Sequence, residues 1–143
     1  SNIDLLETRN FHYSPIRHIE VLLDGRILSG DNGIKIHSSP TNVSNLSPGH
    51  SNFKCSKQLD ENLIVLAFGD SCFYISRLTN GQTVYYKTHS SSVLNIDKIN
   101  STHFITTAAS SNQIKLWNSQ NGILIKNINL GGGKKSLYSI YLR

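Results

Sequence analysis

Apolar and polar residues alternate along this chain in short runs, and each run stops at Gly, Asn, Asp or Ser. Period-two alternation enriched in Val, Ile, Tyr, Phe and Thr is how a strand with one buried face reads. No window of helical length repeats its apolar residues every three to four positions. The predicted strands fall into three sets of four. They are 16–22, 26–30, 34–38 and 41–46; then 53–59, 63–68, 73–78 and 82–87; then 93–99, 103–109, 113–118 and 123–130. Asp24-Gly25, Asn80-Gly81 and Asn121-Gly122 lie between runs and suit tight hairpin turns whose twist matches paired strands. Two further runs lie outside the sets. Residues 3–9 read as the last strand of an earlier unit, and 136–143 as the first strand of a later one.

The sets are repeats of one phrase. A His opens each, at positions 12, 50 and 89, so the intervals are 38 and 39 residues. A fixed period in this range marks a repeat architecture. In the first two repeats an Asp follows the opener, Asp31 after His12 and Asp70 after His50, at separations of 19 and 20 residues. Each Asp falls in the turn between the second and third strands, within reach of an imidazole in the loop between units. Buried polar groups need such partners, so these pairs are expected to brace each unit. The third repeat has Ser111 where the Asp should be. His89 is therefore expected to rely on Thr107, Ser111 or Trp117.

The string TTAASSNQIKLWN at 106–118 resembles the WD-repeat family: a small-residue strand, a polar turn, then apolar–Lys–apolar–Trp–Asp, with Asn118 in the Asp place. Gly49-His50 matches the family's Gly-His opener. His12 and His89 match its His, with Phe11 and Thr88 in place of Gly. The Trp position holds His37 in the first repeat and Ser76 in the second. The resemblance implies an all-β fold, a WD-repeat β-propeller fragment of four-stranded antiparallel blades. Its parts would be an outer strand of a preceding blade (1–10), three blades (11–48, 49–87 and 88–130) and the first strand of a following blade (131–143). It also implies partner binding on one rim of the propeller, where Tyr13, Arg17 and Lys54 sit near the loops and first-strand starts.

Composition narrows the remaining choices. No apolar stretch approaches the roughly 18 residues that suggest a membrane span, and residues 1–10 lack the basic and apolar regions of a signal peptide. The chain holds no Met, which points to a segment of something longer. Two cysteines, Cys55 and Cys72, lack C-x-x-C spacing and suit a reducing, intracellular setting, cytoplasm or nucleus. Sequons at Asn42, Asn45 and Asn100 are expected by chance in a chain this rich in Asn and Ser.

Net charge is +5, unevenly spread. Residues 1–97 hold nine acids against eight bases, whereas 98–143 hold six bases and no acid. An acid-free third can attract RNA or DNA; lysines scattered over strands would simply face solvent. Gly131-Gly132-Gly133-Lys134-Lys135 lacks phosphate-loop spacing and is followed by no helix. It reads as a connector between blades that offers Lys134 and Lys135 as contacts.

Chemistry is not expected. His and Asp recur once per repeat, which suits bracing better than one active site, and no G-x-S-x-G elbow occurs. The remaining histidines, His18, His37 and His103, have no ligand-spaced neighbours. The expectation is a non-catalytic propeller scaffold for protein–protein interaction in an intracellular complex, with no metal, cofactor or small-molecule substrate. Its partners would include further propeller sequence to close the ring. The alternative is a nucleic-acid-binding propeller using the basic C-terminal third.

Overall fold

In the computed structural model the described residues are 12–39, 42–46 and 52–131, apart from the side chains of 85, 86 and 88. They form twelve strands. The first sheet holds β1 (His18–Val21), β2 (Ile27–Gly30), β3 (Ile34–His37) and β4 (Val43–Asn45). The second holds β5 (Phe53–Gln58), β6 (Leu63–Phe68), β7 (Cys72–Arg77) and β8 (Thr83–Thr88). The third holds β9 (Val93–Lys98), β10 (His103–Ala108), β11 (Gln113–Asn118) and β12 (Leu124–Asn129). Every strand predicted in the three sets is present, with ends within two residues of those read from the alternation. The outlying runs 3–9 and 136–143 lie outside the described residues.

Each sheet is an antiparallel meander in chain order. Its turns follow from its residues. Gly81 and Gly122 both take positive φ, and each donates its amide four residues back, to Arg77 and Asn118 at 2.8 and 2.9 Å. Glycine adopts that conformation without a Cβ penalty, so the third and fourth strands turn identically in two blades.

The sheets stack face to face with their first strands adjacent, β1 beside β5 and β5 beside β9. That is the arrangement of propeller blades around an axis. Two apolar layers hold it. Leu22, Leu28, Ile34, Ile36 and Leu46 of blade 1 meet Phe53, Ile64, Leu66, Phe68, Cys72 and Tyr74 of blade 2. The opposite face of blade 2, Val65, Ala67, Phe73 and Ile75, meets Val93, Ile96, Phe104 and Trp117 of blade 3. Alternate residues of β6 thus serve different layers, which explains why LIVLAF is apolar throughout. Each such side chain contributes about 1.5–3 kcal/mol on burial.

Aromatic edges lock both layers. Phe53 and Phe68 rings meet at 5.7 Å, and Phe73 and Trp117 at 4.9 Å, in near-perpendicular contacts. Gly30 is where blade 1 comes closest to blade 2: a Cβ there would overlap the Phe53 ring.

Polar side chains seal the edge of the inner strand. Amides of Ser56 and Gln58 point away from β6 and toward blade 1. His18 Nε2 accepts the first at 3.3 Å and Glu20 Oε1 the second at 2.7 Å. The Ser56 hydroxyl donates to the other Glu20 oxygen. Unpaired strand edges are costly and prone to misassociation, and one blade here satisfies the next.

Candidate functional site

The residues that fasten each blade to its entry loop come first, because they position the rim above them. In blade 3 the buried His89 enters just before β9. Its Nε2 lies 2.8 Å from Thr106 Oγ1 on β10, and Trp117 Nε1 on β11 donates to the same oxygen at 2.8 Å. The two rings are edge to face at 5.9 Å. An indole N–H can only donate, so the Thr106 oxygen accepts from Trp117, and the same hydroxyl pairs with His89 Nε2. The hydroxyl that joins the rings is therefore that of Thr106 and not of Thr107. Successive strand residues face opposite sides, and only Thr106 shares the face of Trp117. Ser111 instead accepts the Gln113 amide at 3.2 Å. Burial, assisted by the Lys115 charge, pushes His89 down to about 4, so its ring is neutral at pH 7.

Blade 1 builds the same junction from other residues. Ser29 Oγ lies 2.6 Å from His12 Nε2 and 2.7 Å from His37 Nε2. His37 thus occupies the place of the indole. The structure brings His12 and Asp31 together, Nδ1 to Oδ1 at 3.1 Å. The ring N–H is not aligned with the oxygen, so this contact is electrostatic more than a directed hydrogen bond. Asp31 also accepts the Ser14 hydroxyl at 2.8 Å and the Gly33 amide at 2.9 Å. Burial opposes ionisation of Asp31, yet these donors and His12 together hold it well below the usual carboxylate range. Burial, with charge from His12 and Lys35, lowers His37.

Blade 2 differs. Asp70 accepts the Cys72 amide at 3.2 Å within its own turn, and His50 lies outside the described residues. On the rungs where blade 3 has Thr106 and Trp117, blade 2 has Leu66 and Ser76.

The rim is formed where these entry loops meet the turns after the second strands. Tyr13 is fully exposed. Arg17 Nη1 donates to Asn52 Oδ1 at 3.4 Å, and Asn52 in turn accepts the Gly69 amide through its carbonyl at 2.9 Å. The Lys54 stem lies over Gly69, its Cε 3.3 Å from where a Cβ would be. Arg17 and Lys54 therefore share one loop cluster. Tyr13 borders a hollow with Ser14, Asp31, Asn32, Lys35 and Asn45. Asn52 and Ser92, which donates to the Gly69 carbonyl at 2.8 Å, tie the rim together. Sequence reasoning passed over both, although the Pro-Gly-His-Ser-Asn run at 48–52 and the Ser run at 90–92 were the available signal. Lys134 and Lys135 lie outside the described residues.

The other candidates have local roles. His18 caps the β5 edge, and His103 Nδ1 sits 2.8 Å from Thr102 Oγ1. Cys55 and Cys72 are buried and unbonded to each other. Lys98, Lys115 and Lys126 are spread over β9, β11 and β12, with Lys115 laid over the Trp117 ring at 6.0 Å. No group of three His, Cys, Asp or Glu side chains able to hold a metal occurs among the described residues. No helix among them is long and apolar enough to cross a membrane.

No family model and no curated protein matches the chain. Solved structures do. The WD40 β-propeller domain of Doa1 superposes with a TM-score of 0.73 at 17% identity, covering 83% of this chain and 42% of that one. The computationally designed Ika8 protein gives 0.76 at 20% identity, over 92% and 41% of the two chains. The designed Ika4 protein gives 0.77 at 19% identity, over 99% and 88%. The chain thus spans about two fifths of the Doa1 domain and of Ika8, each about twice its length, and nearly matches Ika4 in length. At such identities the likeness is one of fold. The protein is a partial β-propeller of four-stranded antiparallel blades, with the blade architecture of the WD-repeat propellers.

Proposed function

We propose that this chain is a non-catalytic propeller scaffold that holds protein partners on the rim made by its entry loops, within an intracellular assembly of cytoplasm or nucleus. The observation that carries this reading is the rim itself: a fully exposed Tyr13 on the entry loop of blade 1, and the Arg17–Asn52 hydrogen bond with Lys54 close by at the start of β5. Exposed Tyr and Arg on a rigid platform are favoured interface anchors. Lys134 and Lys135 extend the rim in this proposal, and the blade boundaries at 11–48, 49–87 and 88–130 go with it. Buried Cys55 and Cys72, which are not joined to each other, suit a reducing compartment. Among the described residues, the lysines of the C-terminal third (Lys98, Lys115 and Lys126) lie one each on β9, β11 and β12, which supports nucleic-acid binding less well than a clustered patch would.

The test is a triple variant, Tyr13→Ala with Arg17→Glu and Lys54→Glu. Quantitative affinity purification from the source cells should lose the partners that the unaltered chain retains, while the melting temperature stays constant. The same partners at the same recovery would overturn the reading. Lys134→Glu with Lys135→Glu should weaken the same partners if the loop contributes.

A further inference from the structure

The seam between blades 1 and 2 holds an imidazole whose task there fixes its protonation state. A backbone N–H can only donate, so His18 Nε2, 3.3 Å from the Ser56 nitrogen, accepts and carries no proton. The neutral ring keeps its hydrogen on Nδ1. Burial lowers His18 from its ordinary 6.5 against the opposing pull of Glu20, and the Lys57 charge adds to the lowering. An imidazolium has two N–H donors and no acceptor. Once protonated, His18 therefore sets a donor against the Ser56 donor, and the bond between the blades cannot persist.

A second partner stands ready in the same seam. Glu20 Oε2 lies 4.0 Å from His18 Nε2 and accepts the Ser56 hydroxyl, while Oε1 accepts the Gln58 amide at 2.7 Å. Alternation puts residues 18 and 20 on one face of β1, so turning the ring brings its Nε2–H onto Oε2. Among the described residues, Glu20 of β1 and Lys57 of β5 are the charges that act on His18, and Lys57 Nζ lies 3.9 Å from Asp97 Oδ1 on β9. The Cys55 thiol of β5, pushed up to about 12 by burial and then by Glu20, stays neutral. Arg17 reaches to Asn52, the Lys54 stem lies over Gly69, and β2 sets the uncharged Gly30 opposite His18. The Phe53 ring meets the imidazole edge-on at 5.7 Å.

We infer that His18 is a proton-operated latch between blades 1 and 2: neutral, it accepts the Ser56 amide; protonated, it releases that amide and pairs with Glu20. The Gln58 amide keeps its place on Oε1 in both states, so the seam loosens at one rung and does not part. Because folded His18 titrates below 6.5, the latch is closed at neutral pH and opens as pH falls through the lowered value. Arg17 and Asn52, hydrogen-bonded at the rim, are the chain neighbours of His18 and Phe53. The latch thus joins the two strands next to that contact. It stands on the geometry of the seam, whatever the rim binds.

The test is nuclear magnetic resonance on the isotope-labelled 143-residue chain, from about pH 7.5 down to about pH 5. The His18 ring nitrogens should report the Nδ1–H tautomer at the upper end and a titration midpoint below 6.5. Hydrogen exchange of the Ser56 amide is measured against that of Gln58, which shares the seam but bonds Glu20. As His18 charges, Ser56 should lose about tenfold in protection relative to Gln58, the scale of one hydrogen bond. His18→Gln offers an amide oxygen near the former Nε2 that accepts at every pH, so its Ser56-to-Gln58 ratio should stay level. His18→Phe removes the acceptor, so its ratio should be raised throughout and equally level. Should either variant fail to fold, the tautomer and the ratio in the unaltered chain still decide. An Nε2–H ring at about pH 7.5, a ratio that stays level in the unaltered chain, or a His18→Gln ratio that moves as much as the original overturns the inference.

Discussion

Thr106→Val is the sharpest probe of how blade 3 is fastened. Valine keeps the shape of threonine and removes only the hydroxyl. Two hydrogen bonds of 2.8 Å disappear together, and the chain cannot replace them, because Thr106 is fully buried. Trp117 Nε1–H and His89 Nε2 are then left without their partner in a dry layer. Each orphaned group costs about 1–3 kcal/mol, so the loss should total about 2–6 kcal/mol. A small domain has about 5–15 kcal/mol in all, so the urea midpoint should move far. Thr106→Ser is the control: it keeps the oxygen and loses one methyl, for about 1 kcal/mol. The chain has a single Trp, at position 117, so fluorescence reports from the junction itself. A Val variant within about 0.5 kcal/mol of the original chain, a spread typical of inconsequential substitutions, would refute the reasoning, as would a Ser variant as damaged as the Val one.

Three further outcomes are expected. Gly30→Ala should destabilise by about 1–3 kcal/mol, because its Cβ collides with the fully buried Phe53 ring; an unchanged urea midpoint would show that the ring can move aside. Glu20→Ala should leave the Gln58 amide without its 2.7 Å acceptor and raise its hydrogen-exchange rate about tenfold, the equivalent of about 1.4 kcal/mol; a Gln58 amide as protected as before refutes the seal. Stability should also fall on acidification. His89 is pushed down to about 4 from 6.5, and burial lowers His18 and His37 as well, so the unfolded chain binds more protons below pH 6.5. Stability is therefore full above that value and drains away as pH falls toward about 4; below that, the unfolded chain takes up a proton at position 31 that the depressed folded Asp31 resists, which adds to the loss. Urea midpoints that stay level from pH 7.5 to 4.5 would contradict this.

Local pattern reached the strands and not the junctions. Alternation and turn residues place a strand by its own neighbours, which is why 63–68 and 113–118 are found to the residue. Which of two adjacent threonines faces the histidine depends on the phase of the strand. β10 and β11 carry irregularities at Thr107/Ala108 and Leu116/Trp117 that disturb it. A 17-residue spacing common to His12–Ser29 and His89–Thr106 was the usable signal, and the search for acids in the turns obscured it. The seal by His18 and Glu20 was invisible for a different reason. It joins residues 36 to 38 positions apart on separate blades, and nothing in either strand alone marks the amides it serves.

The three junctions together make one more prediction, in which a single substitution has opposite signs. Ser29 and Ser76 are both buried serines on equivalent blade faces. The Ser29 hydroxyl serves two histidines, at 2.6 and 2.7 Å. Ser76 sits on the rung of Trp117, but Leu66 has replaced the threonine it would have met, and its buried hydroxyl has no hydrogen-bond partner among the described residues. Ser29→Ala should therefore destabilise by about 2 kcal/mol, from the two imidazoles left short of a partner. Ser76→Ala removes an unsatisfied group at the cost of a fraction of the ~1 kcal/mol range in strand propensity. It should raise stability by about 1 kcal/mol. The measurement is the urea midpoint of each variant at pH 7. Should Ser76→Ala prove as harmful as Ser29→Ala, blade 2 would have to hold a partner for that hydroxyl, and the account of a blade that abandoned its polar junction would be wrong.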